Sequence, residues 1–390
     1  MVRKILFQVH LWTGLVLGVL LALLGVSGSV LVYDHELMAL GAKPVPHAET
    51  QGASLPLDSL IAAARDAVPL KHAQVILALP QAPGEAAVAR LQGGGESGRG
   101  ERGARRGEQR SGGERGPATE VYLDPVSGKV LDVRQAAANP VIGFFHQFHG
   151  NLMLGRDGRQ IVGWFGVAMV LLGLSGIILW WPKRGAWKFA FGVRKKAKGY
   201  LFHRDLHGAT GIWLWVVFVI VSFSGVVIAF PDTARVASGA AVTTFDPRRG
   251  PAVEPIEGVK PLGADAAVTL VRAQFPHAAV ASVALPSRKS EAIRVSLGTM
   301  DDGPVSLAYV DPYQKRIAGW RNPPDTAQAE RFVAWQRPLH AGEGWGPVWR
   351  ALVFVSGFLP LIFVTTGTVM WLKKRKGKTQ AQPAWASVSD

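Results

Sequence analysis

His10 and His207 each open an apolar run, and the runs align without a gap: His10, Gly14, Ser27 and Gly28 match His207, Gly211, Ser224 and Gly225. A second pair repeats the arrangement, His149 and Trp180 against His340 and Trp371. A neutral imidazole binds metals through either ring nitrogen, and haem iron accepts it as an axial ligand. Matched imidazoles at the ends of apolar runs therefore point to a metal or haem clamped between helices, and to electron transfer across a membrane. The bland alternative is interfacial histidine that caps helices or meets headgroups. Repetition with matched glycine spacing weighs against it, because ionisable groups at membrane depth are usually functional.

The elements that must carry these residues are apolar stretches at Leu11–Tyr33, Ile161–Trp181, Gly211–Phe230 and Val348–Leu372, within a chain of 390 residues that is 48% hydrophobic. Each is long enough for a helix to cross a hydrocarbon core of roughly 30 Å. None holds Lys, Asp or Glu at its middle; Arg350 lies at the edge of the fourth, where its stem can reach the interface. The first stretch, after Arg3 and Lys4, is longer than a signal-peptide core and lacks a clear cleavage site, so retention is expected. Cysteine is absent. That excludes disulfides, thiolate-held clusters and zinc sites, and covalent c-type haem.

The formal net charge of +15 has a membrane pattern rather than a nucleic-acid one. Arg3 and Lys4 precede the first span, Lys183 to Arg204 fill the loop between the second and third, and Lys373 to Lys378 follow the fourth. The positive-inside rule then puts both termini and the middle loop in the cytoplasm. The Arg cluster between 99 and 115 lies in a long outside segment, which translocates regardless of charge. The expected order is a first helix within 1–40, an outside domain over 41–140, a second helix within 141–184, a cytoplasmic loop at 185–204 and a third helix within 205–232. A second outside domain over 233–333, a fourth helix within 334–376 and a cytoplasmic tail at 377–390 follow.

The two outside segments also repeat. Pro56–Pro69 and Pro261–Pro276 read as amphipathic helices, and β-rich stretches after them end at Leu79-Pro80 and Leu285-Pro286. Tyr122-Leu-Asp124-Pro125 and Tyr309-Val-Asp311-Pro312 read as strand, turn, strand. The expected fold is thus a membrane α-helical protein: four transmembrane helices in two parallel repeats about an axis along the membrane normal, plus two small α+β periplasmic domains. The insertion 93–116 is Gly, Arg, Glu and Ser without an apolar anchor and is expected to be disordered. In this geometry His10 can meet His207 on the cytoplasmic side, and His149 can meet His340 on the outer side. A cytoplasmic and an outer histidine cannot share one metal across a bilayer of roughly 30 Å.

His203, His146 and His35 are secondary ligand candidates. The positions matching the first two are Leu6 and Arg337, and His35 has no histidine counterpart. His47, His72 and His277 read as surface or fold residues. Gly14, Gly18, Gly25 and Gly28 let backbones approach closely and also make room for a macrocycle. Trp180, Trp181, Trp187, Trp345, Trp349 and Trp371 fit interfacial aromatic belts. Arg156, Arg159, Trp345 and Trp349 are placed at the outer mouth.

These motifs carry a resemblance. His10-x-x-x-Gly14, His149-Gly150, His207-x-x-x-Gly211, His340-Ala-Gly342-Glu-Gly344 and Trp371-Leu-Lys-Lys-Arg resemble the PepSY-associated transmembrane helix family over nearly the whole chain. The outside segments look like PepSY modules, and the chain is similar to bacterial inner-membrane, iron-regulated ferric-siderophore reductases. The resemblance implies two b-type haems, one on His10 and His207 and one on His149 and His340. It implies an unidentified cytoplasmic or quinol donor, a ferric siderophore as periplasmic acceptor, and the bacterial inner membrane as location. The chain offers no convincing G-x-G-x-x-G after a strand, so NADPH binding is not expected, and the membrane pattern of its charge argues against nucleic acid. The competing readings are a non-redox membrane-anchored PepSY scaffold and a metal permease; the permease would need intramembrane carboxylates, which the spans lack.

Overall fold

A computed structural model describes residues 1–40, 42–70, 74–93, 118–136, 139–183, 185, 187–240, 250–287, 291–298, 306–321 and 328–380. His72, Arg184, nearly all of the expected 93–116 insertion and the end of the 377–390 tail lie outside them. The chain forms two compact units, one of residues 1–40, 140–234 and 335–390, the other of 41–139 and 235–334.

The first unit is helical. It contains α1 (Val2–Val32), the short α2 (Asp34–Ala39), α4 (Pro140–Asn151), α5 (Gly155–Trp180), α6 (Gly199–Ala229), α10 (Gly346–Ser356) and α11 (Leu359–Gln380). Helices α7 (Pro231–Ser238) and α9 (Gln328–Ala341) each run across a boundary between the units. Four segments are long and apolar enough to cross a membrane: α1, α5, α6 and the Gly346–Lys376 stretch. Large apolar side chains such as Val16, Leu23, Trp164, Leu171, Val216 and Val348 stay exposed on them. Apolar surface on this scale suits lipid rather than water. The fourth span, expected as one helix, is broken between Ser356 and Leu359. Pro360 explains the break, because it has no N–H to continue the ladder and its ring crowds the preceding turn. Next to the break, a Cβ on Gly25 would strike the Gly357 carbonyl, so these two glycines let α1 and the broken helix pack backbone to backbone.

The second unit holds α3 (Leu57–Ala67), α8 (Ala264–Gln274) and eight strands. They are β1 (Gln74–Ala78), β2 (Ala87–Gln92), β3 (Thr119–Leu123), β4 (Val130–Gln135), β5 (Ala279–Ala284), β6 (Ile293–Gly298), β7 (Ser306–Asp311) and β8 (Arg316–Arg321). The sequence leads one to expect two small domains; the structure joins them in a single antiparallel sheet of order β4-β3-β2-β1-β5-β6-β7-β8. β1 and β5 make the join, with Leu77 opposite Val283, and the Leu79 N–H donates to Ala281 O at 2.9 Å. The physical reason is that each module leaves its first strand with an unpaired edge, and the two edges satisfy each other. One hydrophobic core results. Ala87, Ala89 and Leu91 of β2 and Ile293, Val295 and Leu297 of β6 alternate onto it beneath Leu60, Ala64, Val268 and Val271 of the helices. The helix starts are tied together too: Asp265 accepts the N–H groups of Leu57 and Asp58, while Asp58 accepts those of Ala264 and Asp265. Each Asp-Pro turn closes on its own carboxylate, Asp124 accepting from Val126 and Ser127, and Asp311 from Tyr313 and Gln314.

Candidate functional site: two imidazole pairs in the helical unit

At the end of the bundle that carries Arg3, Lys4 and Lys374, here the basic end, the start of α1 brings His10 against His207 near the start of α6. Their ring centroids are 6.4 Å apart. His10 Nδ1 lies 2.8 Å from Ser175 Oγ on α5, and His207 Nδ1 lies 2.8 Å from Thr366 Oγ1 on α11. Both hydroxyls already donate within their own helices, to Leu172 O and Ile362 O. Each hydroxyl must therefore accept from the imidazole, which assigns the proton to Nδ1 and leaves the Nε2 lone pair free.

At the far end, His149 on α4 and His340 on α9 sit with ring centroids 5.9 Å apart. His149 Nδ1 is 2.9 Å from Leu24 O, and His340 Nδ1 is 2.8 Å from Val221 O. A carbonyl only accepts, so these rings also carry the proton on Nδ1. Ser27 and Ser224 lie beside the same nitrogens, at 3.4 Å and 3.2 Å. The matched glycines make room for the rings: a Cβ on Gly28 would stand 2.7 Å from His149 Cε1, and one on Gly225 would stand 3.0 Å from His340 Cε1. Gly28 thus admits an imidazole rather than serving only helix packing. Gly14 and Gly211 differ. They line the cavity around His10 and His207, where a Cβ on Gly14 would meet nothing within 4 Å.

Leu24, which holds His149, lies fourteen residues beyond His10 on α1, a rise of roughly 21 Å at about 1.5 Å per residue. The pairs are separate sites. Two imidazoles bonding one metal ion at about 2 Å each place their centroids roughly 6 Å apart, close to both observed spacings. A ligating histidine usually donates its other ring N–H to an acceptor, as each Nδ1–H does here, and keeps the free nitrogen for the metal. Among the described residues no cluster of three or more His, Asp or Glu could hold a metal ion. Two imidazoles alone are a poor site for a bare ion, but they suffice for iron whose other four positions a porphyrin fills. A cavity of about 1260 Å³ surrounds His10 and His207, larger than the roughly 300–1,000 Å³ usual for ligand pockets. The residues and cavity around His10 and His207 fit haem b, and at the far end the imidazole pair has the spacing of two ligands to one iron.

The secondary histidines fall elsewhere. His146 Nε2 is 3.0 Å from Asp34 Oδ2, and His35 meets the other oxygen of Asp34 at 3.3 Å. His203 stands edge-on to Phe202, with its buried Nδ1 unpartnered. Arg159 donates to Ile228 O, and Arg350 donates to Val32 O and binds Glu36. They thus cap the last carbonyls of α6 and α1, as the negative end of a helix favours. Trp349 is buried with its Nε1 on Leu339 O, and Trp345 packs against it. Sequence reasoning missed Ser175 and Thr366, although they occupy matched positions in the second and fourth spans. It also passed over Asp205, which is buried between Arg194 and Arg204.

These features define a class: a multi-pass membrane protein whose helical bundle presents paired imidazoles and whose loops build an antiparallel sheet unit. Residues 7–374 match the family described as PepSY-associated TM region. The chain belongs to that family. It is also similar to a protein of Pseudomonas aeruginosa named Uncharacterized protein PA4219, at 25% identity over 268 residues, covering 62% of this chain and 66% of that protein. The match thus spans slightly less than two thirds of the relative's length.

Proposed function

We propose that the protein is an inner-membrane dihaem reductase that carries electrons from a cytoplasmic or quinol donor to a periplasmic ferric siderophore. The observation that carries this reading is the pairing of four histidines at two levels of the bundle, each with its Nδ1 proton engaged. In this reading the basic end faces the cytoplasm, the sheet unit lies in the periplasm, and the halves are parallel repeats about an axis along the membrane normal. The recurrence of each contact in the second half supports the repeat: Ser175 with Thr366, Leu24 with Val221, Gly28 with Gly225.

Haem b, when bound at each pair, supplies a one-electron couple whose potential follows ligation and burial. The chain's own work is to hold the imidazoles in the ligating tautomer and to keep the rings within bonding distance of a shared metal. It also lines the depth of the His10–His207 cavity with apolar side chains. The substrate reaction is addition of one electron to the ferric chelate, giving Fe(II) and the free chelator, which holds Fe(II) far more weakly.

The test is a reduced-minus-oxidised spectrum of the purified protein beside His10→Ala, His149→Ala, His207→Ala and His340→Ala. Wild type should show two haem equivalents, and each variant should lose the one belonging to its pair. A wild-type sample without Soret absorbance would sink the proposal and favour the membrane-anchored scaffold.

A further inference from the structure

The cavity around His10 and His207 is not apolar throughout. Leu11, Leu15, Phe218 and Phe363 line its depth, whereas Arg194, Arg204 and Asp205 line its basic end. Asp205 is the organising residue, with a side chain only 4% exposed. Its Oδ2 accepts from Arg194 Nε at 2.7 Å, and its Oδ1 accepts from Arg194 Nη2 and Arg204 Nη2, each at 3.0 Å. Two guanidiniums share one carboxylate, so the cluster keeps a net positive charge. Arg194 and Arg204 donate through Nε and Nη2 in these bonds, which leaves N–H groups of each five-donor guanidinium free for a second anion.

The position of Arg194 is fixed by more than this ion pair. The segment before it is pinned to the bundle twice, by Trp180 Nε1 donating to Ala190 O at 3.0 Å and Trp213 Nε1 donating to Phe191 O at 2.8 Å. The buried carboxylate holds both arginines, 34% and 50% exposed, at the cavity's basic end, where their spare N–H groups can receive an anion. The same cavity presents two Nε2 lone pairs deeper in. Its occupant therefore combines an apolar, metal-bearing body with acidic groups along one edge.

Resting on the dihaem reading, we infer that Arg194 and Arg204 bind the two propionates of the haem held by His10 and His207, with Asp205 as the positioning residue. The acidic edge of the macrocycle then faces the basic end of the bundle, towards the donor.

The experiment uses full-length protein carrying His149→Ala, stripped of haem and titrated with haemin and with haemin dimethyl ester, whose propionates are blocked. The ester should bind about tenfold or more weakly than haemin, as loss of charge-assisted hydrogen bonds requires. Arg194→Gln with Arg204→Gln should bring haemin down to the ester's affinity and leave the ester unchanged, and Arg194→Lys should restore part of the difference. Equal binding of haemin and ester to the unaltered arginines overturns the assignment. So does competition by phosphatidylglycerol that depends on the arginines while haemin and ester bind alike, since headgroup phosphate would then be the occupant. Failure of the underlying reading looks different: haemin gives no bis-imidazole spectrum, and His207→Ala changes nothing. The ester comparison needs no substitution at the cluster, so a misfolded arginine variant does not remove the test.

Discussion

At the far end of the bundle the smallest residues set the outcome. Gly28 and Gly225 stand where any side chain would meet the ring of His149 or His340. Gly28→Ala and Gly225→Ala should each displace one imidazole and remove one of the two haem equivalents, leaving the His10–His207 spectrum in place. Haem content by pyridine haemochromogen decides this; two full equivalents in both variants would show that the added methyl displaces neither ring. Asp124 offers a second test at this scale. The Ser127 N–H, followed by Thr50 and Val126, holds its carboxyl well below the usual carboxylate range, against an opposing effect of burial. A carboxylate whose folded pKa is depressed contributes stability that is complete above its unfolded value of about 3.9. That contribution is lost as pH falls through the folded value. Amide protection in β3 and β4, relative to the intrinsic exchange rate, should therefore fall below about pH 4, and Asp124→Asn should flatten the dependence.

Between elements, the informative contact is the exchange of caps by α3 and α8. Asp58 closes the start of α8, and Asp265 closes the start of α3. Replacing either with Ala should cost about 1 kcal/mol, the usual value of a lost helix cap. Because each carboxylate serves the other module, Asp58→Ala should deprotect α8 and Asp265→Ala should deprotect α3 in hydrogen exchange. Loss of protection confined to the mutated helix would mean that the modules fold independently, against the continuity of β1 with β5.

For the whole molecule, the testable quantity is orientation. The chain contains no cysteine, so single thiols report without background. Lys188→Cys lies between the second and third spans, and Ser127→Cys lies in the turn between β3 and β4. In intact cells a membrane-impermeant maleimide should label Ser127→Cys and spare Lys188→Cys, with the preference reversed in inside-out vesicles. The opposite pattern would invert the proposed direction of electron flow.

Local chemistry carried a large part of this protein. Four apolar stretches, two amphipathic helices and two Asp-Pro turns were legible because hydrophobic period, length and turn residues act over short range. The histidine pairs were legible as pairs only because the halves repeat without gaps. Sequence left open which nitrogen of each ring is free, since that depends on a hydroxyl or carbonyl more than a hundred residues away. It gave no sign that two strand edges from separate modules would meet in one sheet, or that Asp205 would gather two arginines at a cavity wall. Long-range partners are chosen by packing and by the need to satisfy buried polar groups, and that choice exists only once the chain has folded.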